Sequence, residues 1–552
     1  MSQHETDVLI VGAGPVGLVT ALMFERLGVK SSIVERRAGL HTAPQAHVIS
    51  SRTLEICRAL GIADGEIRAQ GPNPMDTAHV RWVDTLLGRD LGVFSMVKGP
   101  EDIGRMFALS PTPTSNVSQD RFEAILAGHL TDATDLLFEH AWQSAAQDAD
   151  GYLSKVETAG GEVIQIQSRY IIGADGAGSA VRRSIGVQMD GPDAIQNYVN
   201  VHFHANLREQ LKGRTGLLYW VMDPEAYGCF IAHNIDGNWI YMKTLGADAA
   251  PGDIDEAHYE SLLRRAIGAD VDIDIQSMSS WRMTAQIADG YQKDGIFLVG
   301  DAAHRFPPTG GLGLNTGFQD AHNLTWKIAM VLKGCGASLL DTYEVERRPP
   351  ALSNSQQSHA NFLKMTEVDA ALGYNGSTPS ASDFDAILAD PARQAAVQEA
   401  VNRQAAHFNM TGFDLGVCYQ SDAVLDDGPA PLPDNPVSQY IPSTTPGTRL
   451  PHCWVMYEGN RVSTLDLVRA DGWRVLTFGT VSDSVRASVA ALQAQDVPIE
   501  AISVALPSDG SGDIFASGHA LVIRPDGHIA ARIEADSAAD QVTHTLLTVA
   551  QW

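Results

Sequence analysis

The sequence predicts an α/β fold: a Rossmann-like nucleotide domain, interrupted by a β-sheet domain and followed by a separate C-terminal unit. Three stretches predict it. They are DVLIVGAGPVGLVTALMFERLGVKSSIVERR from Asp7, YIIGADGAGSAVRRSIG from Tyr170, and GDAAHRFPPTGGLGLNTGFQDAHNL from Gly300. Each follows or contains an apolar strand run that feeds a glycine-rich turn and then a helical pattern. A parallel sheet with crossover helices needs that order.

At 552 residues the chain is too long for one core, and about two to four domains are expected. An apolar content of 44% with 19% charged residues excludes a disordered chain. The formal charge of −27 opposes nucleic acid and anionic membranes as partners, since both need basic patches. It does not oppose a bound anion held by local backbone dipoles. Cys57, Cys229, Cys335, Cys418 and Cys453 are scattered and form no CxxC. That pattern implies a reducing compartment, no disulfide frame and no metal site. No apolar run reaches the roughly 18 residues of a membrane span, so a cytoplasmic location is expected.

In the first stretch an apolar strand ends at Val11 and runs into Gly12-x-Gly14-x-x-Gly17, through Pro15 and Val16, then a helix ending near Gly28. Gly12 permits the tight turn, Gly14 lets backbone approach a pyrophosphate, and Gly17 lets helix and strand pack closely. Phosphate would sit on the unpaired N–H groups of the helix start. The next strand, Ser32-Ile33-Val34, ends in Glu35, placed to accept hydrogen bonds from an adenosine ribose. The motif leaves NAD and FAD both open, and an acid at the ribose position argues against NADP there.

In the second stretch the strand Ile171-Ile172 leads to the turn Asp175-Gly176 and a short helix carrying Val181-Arg182-Arg183. Read alone, Asp175 could be a plain turn former. In the third, the strand Ile296-Phe297-Leu298-Val299 leads to Asp301. Pro307 and Pro308 then remove N–H donors and stiffen the chain. Gly310-Gly311-Leu312-Gly313-Leu314-Asn315 precedes a helix expected over Thr316 to Leu332, with Asp320 and Lys327 at polar positions.

Together, the N-terminal fingerprint, GADGAxSxVR and GDAAHRFPPxGGxGxN resemble the single-component FAD-dependent aromatic hydroxylases, in their phenol hydroxylase and 2-hydroxybiphenyl monooxygenase branch. The resemblance covers nearly the whole chain. It implies FAD as cofactor, NAD(P)H and O2 as co-substrates, and hydroxylation of a phenolic substrate through a flavin C4a-hydroperoxide. It places Gly12, Gly14, Pro15, Val16, Gly17, Glu35 and Arg36 at the adenosine end of FAD. Asp301 falls on the ribityl chain, and Gln119 and Asp175 fall near the flavin. Pro308, Gly311, Gly313, Leu314 and Asn315 fall at the isoalloxazine, where free N–H groups of a helix start would favour the anionic reduced ring. Gln45 stands where many relatives carry Arg, and Arg52 either approaches the cofactor or pairs with Glu55.

His47 is the candidate base for the phenolic proton, since a neutral imidazole can accept it. It matches a position that carries Asp in phenol hydroxylases and His in the hydroxybiphenyl branch. Otherwise it is a packed histidine between Ala46 and Val48. His304 is left as a packing or phosphate contact. Tyr219, Trp220, Phe230 and Tyr241 are candidates for an aromatic substrate wall, or for plain sheet core.

The expected domains are an FAD-binding domain from 1–75, 105–185 and 285–365, and a substrate-binding sheet domain from 76–104 and 186–284. A helical connector and linker would cover 366–430, and 431–552 resembles a thioredoxin-like C-terminal domain. That last region lacks CxxC, so a packing or homodimer-supporting role is expected of it. A polyketide-type hydroxylase or Baeyer–Villiger monooxygenase, and an FAD oxidoreductase without oxygen insertion, use the same motifs and remain alternatives. The Trp-x-Trp-x-Ile-Pro signature of flavin halogenases is absent.

Overall fold

The computed structural model describes residues 3–245, 254–374, 379–507, 510, 512–515, 518–534 and 536–552. At its centre is a sheet ordered Gln292–Lys293, Ile296–Leu298, Val163–Gly173, Gln3–Val11, Ser31–Glu35, Thr134–Phe138. The last five strands run parallel. The antiparallel pair His140–Asp148 and Gly151–Thr158 joins through Val163–Gly173. Strand and helix residues Val8, Leu9, Ile10, Leu18, Phe24, Ile171 and Ile172 are fully buried. Each large apolar side chain among them stabilises the layer by about 1.5–3 kcal/mol relative to exposure. The helix Pro15–Leu27 starts on a proline and ends on Gly28 at φ 70°, a conformation cheap only without a Cβ.

A seven-stranded sheet is ordered Asp274–Met283, Gln196–His204, Asn238–Leu245, Gly228–Asn234, Leu218–Val221, His79–Val83, Asp90–Ser95. Its pairings put Tyr219, Phe230 and Tyr241 side by side on one face and Trp220, Cys229 and Met242 on the other. The first face packs under the helix Glu256–Ile267, with Leu263, Ala266 and Ile267 buried against it. Tyr219, Phe230 and Tyr241 are therefore core, not substrate wall, and only Trp220 lies on the opposite face. Both faces of these strands are largely buried, so alternation along the sequence did not say which one meets the core.

The segment after 365 is more than a connector. Its helices Thr366–Ala371, Ala381–Ala389 and Pro391–Asn402 pack Val368, Phe384, Leu388 and Val401 onto Val80 and Trp82 of the seven-stranded sheet. At the C-terminus a four-stranded mixed sheet is ordered Ile499–Val504, Trp473–Phe478, Ala520–Ile523, Ile529–Ile533. The helices Asp483–Gln493 and Ala539–Ala550 belong to the same region. Its last two strands form a hairpin whose turn holds Pro525-Asp526-Gly527, with Gly527 N–H on Arg524 O at 2.9 Å.

This region is fastened to the central one by buried ion pairs. Arg524 meets Glu346 at 2.6 Å and Arg449 pairs with Glu55, while within the central region Lys327 meets the same Glu346 at 2.8 Å. Lys327 and Asp320 are fully buried, where the sequence had placed them on the polar side of their helix. Each has an opposite charge waiting from another element, which makes its burial tolerable. Among the described residues no helix is long and apolar enough to cross a membrane.

Candidate active site

The three glycine-rich turns converge because their strands are neighbours. Gly12 N–H donates to Val34 O, Ala174 N–H to Val11 O, and Val299 N–H to Gly173 O, at 2.8 to 3.0 Å. All three turns thus leave the carboxyl ends of adjacent parallel strands, the crevice in which such sheets bind ligands. Gly12 has φ +108°, and a Cβ there would lie 2.4 Å from Ala174 O. A Cβ on Gly17 would lie 2.0 Å from Gly12 O, whereas one on Gly14 would meet nothing within 4 Å. Gly12 and Gly17 are closed by packing, and Gly14 is open towards a ligand.

Helix Pro15–Leu27 has no side-chain cap, and its first intrahelical bond is Leu18 N–H to Gly14 O. The N–H groups of Val16 and Gly17 precede that bond and point out of the helix start. Glu35 accepts from Ala13 N–H at 2.8 Å and from Arg37 N–H and Nε at 2.9 Å. Burial pushes its carboxyl up, but those hydrogen bonds prevail and hold it below the ordinary carboxylate range. It is an anionic acceptor at the strand end. Arg36 and Gln45 are exposed, and among the described residues neither side chain is held by a hydrogen bond that would aim it.

At the other end of the crevice Asp301 keeps its side chain open. The surrounding walls push its carboxyl up, against His304 and Arg305, and among the described residues no protein group bonds to it. The turn beneath it is fixed by His304 Nε2 to Asp320 at 2.6 Å and by Gly300 N–H to Asp320 at 3.2 Å. His304 is fully buried and stacked on Phe306, so it is a support and not a phosphate contact. Asp175 accepts Ala180 N–H at 2.6 Å and Val181 N–H at 3.2 Å through Oδ2, while its Oδ1 has no partner. One oxygen caps the short helix, as the turn-forming reading has it, and the other is unclaimed. Arg182 ties this turn to the next through Ala302 O at 2.8 Å.

The third loop opens the helix Gly313–Leu332, three residues earlier than the sequence predicts. It too has no side-chain cap, and its first intrahelical bond is Thr316 N–H to Leu312 O. The N–H groups of Gly313, Leu314 and Asn315 lie ahead of that bond. Pro308 is exposed, and its carbonyl takes Gly311 N–H at 3.0 Å. The Asn315 side chain is fully engaged within the protein. Its Oδ1 accepts Ser50 N–H at 2.9 Å and Thr53 Oγ1 at 2.7 Å, and its Nδ2 donates to Val48 O at 3.0 Å and Gly311 O at 2.6 Å. Only its backbone is left for a ligand.

Those same bonds bring His47 to this loop. Gly311 is so close to Val48 that a Cβ would lie 2.8 Å from the valine Cβ. Residues 47–49 run beside Ser115–Asn116, and His47 O accepts Val117 N–H at 2.8 Å. His47 Nδ1 meets Asn116 Oδ1 at 3.2 Å. A carbonyl oxygen only accepts, so Nδ1 carries the proton and Nε2 keeps its lone pair. Burial pushes the imidazole down to about 4, against the Asn116 bond, so it is neutral at physiological pH. Gln119 N–H donates to Ala46 O at 2.8 Å and its Nε2 to Glu123 at 2.8 Å. Its side-chain oxygen is not used in that bond. Arg52 donates to Glu55 at 3.2 Å and to Asp526 O at 2.5 Å. It also lines a cavity of about 270 Å³ with His322, Trp326 and Pro525, where the C-terminal region docks. The ion-pair reading of Arg52 is the one its surroundings match.

The crevice fits a dinucleotide: two uncapped helix starts for phosphate and ring, an anionic acceptor at one end, and an open carboxylate between. Residues 5–358 match the FAD binding domain family, and residues 443–551 match the aromatic-ring hydroxylase C-terminal family. The chain belongs to the single-component FAD-dependent aromatic hydroxylases. It is 30% identical to 2,4-dichlorophenol 6-monooxygenase of Delftia acidovorans, over 95% of this chain and 94% of that one. It is 32% identical to aklavinone 12-hydroxylase RdmE of Streptomyces purpurascens, over 99% and 98%. Among solved structures, the flavin-dependent monooxygenase PieE with FAD and substrate superposes at a TM-score of 0.91, with 30% identity and 99% of each chain covered. FAD is the cofactor of this hydroxylase family.

Sequence reasoning missed Asn116, which orients His47, and His233, whose ring touches it with centroids 5.6 Å apart. Both are ordinary residues of strand-like runs, with no local signal. Only the pairing of Val48 with Asn116 and the fold of the second sheet bring them in.

Proposed function

We propose that this hydroxylase uses NAD(P)H and O2 to add a hydroxyl group to a phenolic ring held between His47 and the loop Pro308–Asn315. The observation that carries this reading is the His47 imidazole. It is neutral, its tautomer is set by Asn116, and it is pinned to the flavin loop through Val48, Gly311 and Asn315. Bound FAD, once reduced, supplies the electrons and the oxygen activation. The protein's part is to bind, orient and move a proton. Val16 and Gly17 N–H groups and Glu35 would hold the adenosine end, and Asp301 the ribityl hydroxyls. The free N–H groups at Gly313, Leu314 and Asn315 would stabilise negative charge on the ring. His47 Nε2 would take the phenolic proton, making the substrate ring electron-rich at the carbon that is attacked.

A fused-ring substrate is the second reading. Aklavinone 12-hydroxylase RdmE and the tetracenomycin monooxygenase-dioxygenases match this chain at full length as well as the phenol enzymes do. The order and pairing of the C-terminal strands support a thioredoxin-like unit, and its buried ion pairs to Glu346 and Glu55 support a packing role. The test is NAD(P)H oxidation with phenols and with fused polycyclic phenols, in ¹⁸O-labelled O2. One labelled oxygen in the product, together with oxidation that the substrate accelerates, is expected. Oxidation that no phenol accelerates, with no label in any product, would sink the hydroxylase reading in favour of an oxidoreductase without oxygen insertion.

A further inference from the structure

His233 is the bulged residue of the strand Gly228–Asn234, between Ala232, which pairs with Trp239, and Asn234, which pairs with Asn238. The side chain is 5% exposed, and its Nε2 has no hydrogen-bond partner among the described residues. Its ring stands at 86° to that of His47, with centroids 5.6 Å apart. The ionisable groups facing it are His47 from the flavin side, His202 from the sheet, and Arg121 from helix Gln119–His129. His202 is already bonded to Asn238 at 2.9 Å, and Asp120 acts on His202. His233 therefore has no carboxylate partner, and its closest ring contact is the candidate base. A buried nitrogen left unpaired in a native fold calls for an explanation beyond packing.

We propose that His233 is a positioning residue of the substrate base, so that the imidazoles of His47 and His233 work as one proton-accepting unit for a phenolic hydroxyl. This rests on the phenol-hydroxylating reading above. The substrate O–H bond breaks and an N–H bond forms at His47 Nε2, giving a phenolate and an imidazolium. The other proton stays on His47 Nδ1, which donates it to Asn116 Oδ1. A lone imidazole kept from water is a poor acceptor for a phenol, because burial penalises the cation it becomes. A second neutral imidazole against it offers a polarisable ring to that cation. The two rings are too close to be charged together, so the pair takes up a single proton and titrates as a unit. Burial, with His47, His202 and Arg121 around it, pushes His233 well below the ordinary imidazole range, which keeps it the neutral member.

The experiment binds 4-nitrophenol to the FAD-loaded protein and follows its phenolate absorbance against pH, without NAD(P)H. In the parent protein the bound probe should ionise at lower pH than it does free in solution. His233→Leu should raise that midpoint by about one pH unit, a tenfold loss of phenolate at fixed pH, and His233→Gln should fall between. FAD content and melting temperature are read on each variant. If the leucine variant is unfolded, the glutamine variant decides alone. A residue that merely packs would change affinity or melting and leave the midpoint where it was. An unmoved midpoint in the folded variants overturns the pairing while the hydroxylase reading stands. A parent protein that binds or ionises no phenol overturns both.

Discussion

His304 Nε2 lies 2.6 Å from Asp320 Oδ2, and the other oxygen of that carboxylate receives Arg347 Nε at 2.9 Å. The three side chains are fully buried directly beneath the turn that carries Asp301. Arg347 reaches on to Tyr419 at 3.1 Å, and Arg524 of the C-terminal hairpin lies over the same tyrosine ring, 5.2 Å from its centroid. The open Asp301 carboxylate in the crevice thus rests on a charged chain that extends into the C-terminal region.

Asp320→Asn leaves Arg347 without its counter-charge and should cost about 3 kcal/mol of stability at neutral pH, along with FAD retention. Burial pushes the Asp320 carboxyl up, but His304 and Arg347 outweigh it and hold it below the ordinary range. A lowered folded value means that its contribution is present above the unfolded value and lost as pH falls through the folded one. The melting gap between parent and variant should begin to close below about pH 4. A gap that does not depend on pH would show that the charge of Asp320 is not what matters.

Gly17→Ala places a Cβ 2.0 Å from Gly12 O. The helix start must shift, and with it the Val16 and Gly17 N–H groups. The expected result is a protein purified largely without flavin, destabilised by about 1–3 kcal/mol. The ratio of flavin to protein absorbance measures the first effect and thermal melting the second. Gly14→Ala meets no protein atom within 4 Å, so it should melt normally and weaken FAD alone.

His47→Ala should keep FAD and slow hydroxylation by about a hundredfold or more, with more of the NAD(P)H consumed ending as hydrogen peroxide. His47 is held down to about 4, so the free protein keeps a neutral imidazole through the weakly acidic range. The acid limb of kcat/KM should therefore fall near 4 and not near the ordinary histidine value of about 6.5. A limb at the ordinary value, or coupling unchanged in the alanine variant, would remove His47 from proton transfer.

Asp369 accepts the Tyr227 hydroxyl at 3.0 Å in the layer where the helices after 365 meet the second sheet. Burial pushes its carboxyl up to about 6, against that bond. A raised folded value means that the charged form is disfavoured by folding, so the parent protein loses stability as pH rises from about 4 to about 6. Asp369→Asn should stabilise the protein by on the order of 2 kcal/mol at about pH 8 and leave it unchanged near pH 4. Denaturant melts at the two pH values read this directly.

The three loops were legible because each states its own requirement locally. A strand end, a glycine that must turn, and a helix start need no distant residue to be recognised, and their order along the chain named the family. The face of the second sheet was not legible. Tyr219, Phe230 and Tyr241 alternate correctly with Trp220, Cys229 and Met242, but both sets are apolar. Which one is core depends on where helix Glu256–Ile267 docks. Asp320 and Lys327 read as solvent-facing for a related reason: their burial is tolerable only through Arg347, His304 and Glu346, which approach from other elements.

The sequence by itself determined the FAD-binding α/β architecture and the glycine turns, since these rest on backbone geometry within a few residues and on motifs in a set order; His47 was singled out only through the family resemblance that those motifs carry. Tertiary structure alone decided that Asn116 sets the His47 tautomer, that Asn315 pins His47 to the flavin loop, and that His233 lies against it from the other sheet. A side chain's protonation depends on what surrounds it in space, and those surroundings come here from segments dozens to hundreds of residues away.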